Sequence, residues 1–324
     1  MKKIFTLVSV ALAAMTVNAQ ESWYVNNEDG TLKSEYVANS DASQASVVEF
    51  STTNVKGTHV SGPVAGYTDG ELVDGKLEAK YDNSWGNISK KDLSSDGSVA
   101  PFYYVQGKGN PVNIEKVTWE EIVTDDVPTG VYRPYWEDAY YSPDGTNGLP
   151  TNGTYVTLTP AVNGTLKVGV WINKGNRDVY VVKGSDMKAL TLGTDVIASG
   201  YINGQNNEVE EGSPLAGYPM YQENIPAKGT EGSDAYVVGT GSAVVWAYLT
   251  FAATANETYY IFNKNTQIGF SGFEFTAGEG AGIAGVEVES QDDPNAPIYN
   301  LAGQRVSKDA KGVLIQNGKK FIRK

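Results

Sequence analysis

The chain has no cysteine and a single histidine, His59, among its 324 residues. Without thiols there are no disulfides, no thiolate nucleophile and no cysteine-built zinc site. A lipid anchor on an N-terminal cysteine is not expected either. One imidazole leaves at most one base for Ser-His-Asp chemistry. That base lies in the Gly/Ser-rich stretch 56–62, where it reads as a surface residue at a strand end. Positive charge is scarce too: 25 Lys and Arg against 38 Asp and Glu leave a net charge of −13. A chain of that sign is not expected to bind nucleic acid. Past the first two dozen residues there is no long apolar run, so no transmembrane segment is expected in the mature chain. Convincing helical periodicity is missing from the same region.

What is present begins with an export signal. Lys2 and Lys3 precede an apolar stretch over 4–17, too short for a comfortable span. Val17-Asn18-Ala19 places small residues where a signal peptidase reads them. Residues 1–19 are therefore expected to be a signal peptide, cleaved before Gln20.

Composition points to an all-β fold. Twenty Tyr, 9 Phe and 6 Trp accompany 36 Gly and 13 Pro, and short β-branched or aromatic runs alternate with turn residues. Residues 165–172 show the pattern best. Leu166, Val168, Val170 and Ile172 share one face, and Lys167, Gly169 and Trp171 share the other. Asn163-Gly164 predicts a hairpin turn joining this strand to one over 155–159. Further strands are expected over 179–182, 243–251, 258–262 and 267–275, with a turn at 263–266 between the last two. The Gly-, Asn- and Pro-rich stretch 201–231 predicts a long loop.

The segments NGTYVTLTPAVNGTLKVGVWINKGNRDVYVV and AYLTFAATANETYYIFNKNTQIGFSGFEF resemble the galactose-binding-like β-jelly-roll modules of exported polysaccharide-utilisation proteins. The resemblance covers about residues 155–275 and rests on strand spacing and turns. It implies a jelly-roll β-sandwich over 20–277, in which an early strand, expected at 47–50, pairs with the last one.

A different module follows. Residues 278–297 open on a Gly-rich hinge and read as a linker. From Gly303 to Lys324 seven basic residues face one acid, Asp309, in a chain that is acidic elsewhere. Residues 298–301 and 304–306 predict a short strand pair, and residues 313–322 predict a hairpin turning at Asn317-Gly318. This small C-terminal β-hairpin module, 298–324, resembles the C-terminal sorting domain of type IX secretion in its IYNLAGQRV and KGVLIQNGKK segments. Leu314 departs from that pattern, standing where an aromatic is commoner. The resemblance implies engagement with the type IX secretion machinery and a location that is secreted or on the outer cell surface.

No catalytic constellation is readable. The acidic pairs Glu120-Glu121, Asp125-Asp126, Glu137-Asp138 and Glu210-Glu211 are sequence neighbours, which on a strand point to opposite faces. They read as solvated surface. Asp125, Asp126, Glu137 and Asp138 are also oxygen donors of the type calcium takes, so a structural calcium is an open possibility, without EF-hand spacing to support it. The candidate ligand-binding residues are Tyr132, Arg133, Tyr135, Trp136 and Asp138, in an aromatic run broken by Pro134, with Trp171 as a second candidate. Flat rings stack on the C–H faces of sugars, while carboxylates and Arg bond the hydroxyls. The alternative is that these rings fill the end of the sandwich, and that the face of Trp171 is covered. Three functions remain open: a non-catalytic carbohydrate-binding or adhesion protein, a structural or interaction protein of the cell surface, and a glycan-active enzyme working through carboxylates alone.

Overall fold

The computed structural model describes residues 20–36, 45–62, 71, 85, 88–203, 210–225, 227–228, 237–238, 243–264, 266–278, 298–300, 305–307, 311–316 and 319–323. The expected signal peptide lies outside them, as do nearly all of the expected linker and the Asn317-Gly318 turn. The chain divides into two compact units, one ending at Ala281 and the other spanning Gly282–Lys324.

The first unit is built from antiparallel strands. In chain order they are β1 (Gln20–Tyr24), β2 (Ser46–Ser51), β3 (Val55–Ser61), β4 (Ile88–Lys91), β5 (Phe102–Gln106), β6 (Thr118–Thr124), β7 (Val127–Tyr135), β8 (Tyr155–Pro160) and β9 (Gly164–Ile172). Then come β10 (Val179–Lys183), β11 (Val196–Ile202), β12 (Met220–Gln222), β13 (Ala227–Lys228), β14 (Val237–Val238), β15 (Val245–Ala253), β16 (Tyr259–Asn263) and β17 (Ile268–Ala277). The helical elements among the described residues are two short 3₁₀ turns, Ile114–Lys116 and Glu137–Ala139. None is long and apolar enough to cross a membrane.

Two sheets form a β-sandwich. The larger has eight strands in the order β12-β11-β15-β9-β17-β5-β4, with β1 added beside β17. The smaller runs β10-β16-β8-β3-β2. Successive strands from β8 to β11, and again from β15 to β17, alternate between the sheets. The inward face of β9 is the aliphatic row expected from its pattern: Leu166, Val168, Val170 and Ile172 are all fully buried. Opposite them, Val156, Leu158, Val179, Val181, Tyr259 and Ile261 fill the core from the smaller sheet. Burying a row of this kind contributes about 1.5–3 kcal/mol per side chain.

Several local expectations are overturned. Asn163-Gly164 does not close a hairpin. Strand β8 pairs with β3 and β16, whereas β9 pairs with β15 and β17, so the connection crosses from one sheet to the other. Gly164 lacks the positive φ that a type I′ turn requires. Its place is dictated by packing instead: an added Cβ would stand 2.4 Å from the Thr276 carbonyl. Residues 47–50 belong to β2, an edge strand paired with β3. The last strand of this unit takes β1 instead, with Gln20 opposite Thr276 and Tyr24 opposite Gly272. There the inward Trp23 ring stacks on Phe50 of the facing sheet at 4.4 Å. The expected long loop 201–231 includes β12, which pairs with β11 through Tyr201 and Tyr221. His59 is not a surface residue: it is fully buried on β3.

Strand β17 contains a register shift between Phe270 and Gly272. The extra residue lets Ile268 and Phe270 face the core, and then Phe273 and Phe275 after a change of phase. Gly272 carries it at φ +132.

In the second unit β18 (Ile298–Asn300), β19 (Arg305–Val306), β20 (Gly312–Gln316) and β21 (Lys319–Arg323) form a four-stranded sheet in the order β19-β18-β20-β21. Both expected pairings are present: Ile298 opposite Val306, and Gln316 opposite Lys319. Ile298 and Leu314 are buried there.

Candidate functional site

Five of the six residues singled out from the sequence lie on or just after one arm. Among the described residues, strands β6 and β7 pair only with each other, and their tip is the two-residue turn Asp125-Asp126, with φ 51 and 62. Both central residues in the left-handed region is type I′ geometry. Asp125 and Asp126 therefore make a hairpin turn, and among the described residues no three His, Asp or Glu side chains converge as they would around a metal.

Register splits the candidates. Glu120 lies opposite Arg133 and Thr118 opposite Tyr135, so Arg133 and Tyr135 share a face. Tyr132 and Pro134, opposite Glu121 and Trp119, share the other. Arg133 is committed to Glu120 through Nε and Nη2, at 3.2 and 3.1 Å. Trp136 sits beyond the strand, where its carbonyl accepts from Ala139 and Tyr140 and starts the Glu137–Ala139 turn that holds the exposed Asp138. These side chains do not form one platform.

Trp171 lies elsewhere, on the outward face of β9. It is 9% exposed, stacked on Tyr104 with centroids 5.1 Å apart, and is in register with Trp246. Leu93 and Val99, from the connection between β4 and β5, complete this second apolar cluster. The covered-face alternative describes Trp171: its ring is packing.

Beside that cluster the outward face of the larger sheet is open. Strand register sets Tyr24, Gly272, Gly169 and Tyr248 in one row across β1, β17, β9 and β15. Both glycines admit a close neighbour: a Cβ at Gly169 would stand 2.8 Å from the Ser271 side chain, and one at Gly272 would meet the β1 backbone. A cleft of about 460 Å³ is walled by the rings of Tyr24, Phe102, Tyr103 and Tyr248. Asn26, Glu28 and Asp29 line its opposite rim, and Ser271 its floor.

The rim is held by its own bonds. Asp29 accepts from the backbone N–H and the hydroxyl of Thr31, at 2.9 and 2.6 Å, and these bonds hold its carboxyl below the usual range. Gly30, at φ +80, brings that loop against Tyr103; an added Cβ would stand 2.5 Å from the phenol oxygen. Next to the row, Glu274 accepts from Tyr24 Oη at 2.9 Å, from Gln20 at 2.8 Å and from Lys167 at 3.3 Å. The Lys167 ammonium also lies 4.6 Å from the Tyr248 ring centroid. Burial first, then Glu274, pushes the Tyr24 phenol well above its ordinary value. Burial, with Tyr201 and Glu274 adding to it, pushes Tyr248 up to about 12. Both phenols therefore remain protonated, the Tyr24 O–H committed to Glu274.

A larger cleft of about 700 Å³ lies at the edge of the smaller sheet, lined by Trp23, Glu49, Lys56, Thr58 and Thr157 among others. It offers less to a ligand. Its indole is stacked on Phe50, with Lys33 over the ring at 5.6 Å, and its Thr58 and Thr157 hydroxyls already bond each other at 2.7 Å.

Sequence reading missed the four rings of the smaller cleft. The usable signal was the outward phase of β9 and β15, which carries Trp171, Trp246 and Tyr248 where a solvated sheet carries charges. Compared with known proteins, the chain matches no family model, no curated protein and no solved structure.

Proposed function

We propose that the first unit is a non-catalytic glycan-binding module of an exported protein, and that its ligand lies in the Tyr24–Tyr248 cleft. One observation carries this reading. Four aromatic side chains line a concave site together with the amide, carboxylates and hydroxyl of Asn26, Glu28, Asp29 and Ser271, with Gly30, Ala100 and Pro101 completing it. Rings take the apolar C–H faces of a sugar; Asn26, Glu28 and Ser271 take its hydroxyls. The Tyr248 phenol, kept protonated, adds a donor.

Export is the second part of the reading. Its support is the cleavable N-terminal pattern and the basic β-hairpin module, which together suit type IX secretion and a secreted or cell-surface location.

The test is a glycan array on the purified protein, beside Tyr24→Ala and Tyr248→Ala. Binding that both substitutions reduce at least about tenfold, with thermal midpoints close to the parent's, supports the reading. Undiminished binding by the two variants would move the ligand elsewhere. Turnover of a polysaccharide that depends on one carboxylate would replace the module with an enzyme.

A further inference from the structure

We infer that the cleft selects uncharged glycans and rejects those carrying carboxylate or sulfate groups. This rests on the glycan-binding reading and adds the ligand class.

Among the described residues the cations beside the cleft are engaged elsewhere: Lys91, opposite Phe102 in the β4–β5 ladder, lies over the Trp246 ring at 5.4 Å. Lys167 reaches toward the Tyr248 wall, but its ammonium is 3.3 Å from Glu274 and over the Tyr248 ring. Lys90 lies opposite Tyr103 in the β4–β5 ladder, and its ammonium is 2.8 Å from Asp92. Among the described residues, the lining itself contains no Lys or Arg.

The anions are differently placed. Glu28 and Asp29 are both exposed on the rim, and among the described residues no cation pairs with either. Asp29 is held charged by Thr31. An incoming uronate or sulfate would meet two carboxylates, and among the described residues no ammonium lines the cleft to answer it. Like charges brought together repel, and such repulsion is how a site excludes a near-identical ligand; at exposed carboxylates it is screened by salt. A neutral sugar meets none of this cost, because its hydroxyls donate to the same carboxylates. The chain's net charge of −13 works in the same direction at longer range, lowering the encounter rate with polyanions.

The rim, not the rings, is then the source of discrimination. Stacking on Tyr24 and Tyr248 is indifferent to a charge on the far side of the sugar. Glu28 is the residue to change, since Asp29 also organises its loop.

The experiment uses the full chain and two matched panels. One holds neutral oligosaccharides of glucose, mannose, xylose and galactose. The other holds oligosaccharides bearing uronate or sulfate on related backbones. The expected result is retention of at least one neutral member, little changed by added salt, with its charged counterpart at least about tenfold weaker. Glu28→Lys should narrow that gap from both sides, weakening the neutral ligand by the hydroxyl bond it loses and strengthening the charged one, and the latter gain should fade as salt is raised. Retention of charged oligosaccharides as tightly as neutral ones overturns the inference while leaving the binding module intact. So does a Glu28→Lys protein with an unchanged gap. Retention of neither panel overturns the glycan-binding reading, and this inference with it.

Discussion

Nδ1 of His59 lies 3.1 Å from the Tyr36 phenol oxygen, inside an aromatic box closed by Trp85 at 4.8 Å and Phe270 at 5.3 Å between ring centroids. The imidazole is fully buried, and desolvation lowers its pKa from 6.5 to about 3. The native state therefore refuses a proton that the unfolded chain accepts. Nothing is lost above the unfolded value near 6.5, and stability falls as the pH drops from there toward 3, by up to roughly 5 kcal/mol. His59→Gln should be less stable than the parent at pH 7 by about 1–3 kcal/mol, since it disturbs the Tyr36 bond, yet decline less steeply on acidification. Urea midpoints between pH 7 and 4 measure both. Equal slopes for the two proteins would refute the role given to His59.

Trp171→Ala should act on stability. Removing a ring stacked on Tyr104 and packed by Trp246 opens a cavity worth about 3–5 kcal/mol. Thermal melts should show a clear fall. A melt within a degree or two of the parent, accompanied by lost ligand binding, would return Trp171 to the list of contact residues.

Gly30→Ala tests how the cleft's rim is set. The added methyl meets Tyr103, and φ +80 strains any side chain, so a cost of about 1–2 kcal/mol is expected. The larger effect should fall on affinity, because the Tyr103 wall must move. Unchanged affinity in a titration would mean that this wall does not touch the ligand.

The β6–β7 arm makes the opposite prediction. Arg133→Ala breaks an exposed ion pair with Glu120 and should cost less than about 1 kcal/mol. Tyr135→Ala should leave both melting and glycan retention as they were. A tenfold loss of retention in either variant would shift the binding surface to the arm.

How much could be read in advance divides along a physical line. Alternation decides which side chains face the core, and so Leu166 to Ile172 and the all-β class were legible. Pairing partners are decided by contacts across the whole chain. Asn163-Gly164 reads as a hairpin turn and is an arch between sheets, whereas Asp125-Asp126, which reads as solvated acid and is exposed, also makes a tight turn. Two adjacent residues carry too little information to separate those outcomes when packing against Thr276 dictates the backbone at Gly164. His59 was misplaced for a related reason. Its neighbours are small and polar, but its phase on β3 puts it inward, opposite Val48 and Val156. The cleft eluded the sequence because its rings arrive from β1, β5 and β15, far apart in the chain and joined only by the register of the sheet.

Strand β17 is the last of its unit to be synthesised and yet runs through the middle of the larger sheet, with β9 on one side and β1 and β5 on the other. A growing chain that stops short of residue 268 has two separated half-sheets and no seam between them. Contacts spanning some 250 residues, such as Gln20 with Thr276, carry a high loop-closure cost and form late. The unit is thus built to assemble all at once after its full length is available, and a truncated or slowly emerging chain exposes unpaired strand edges until that final piece slots in.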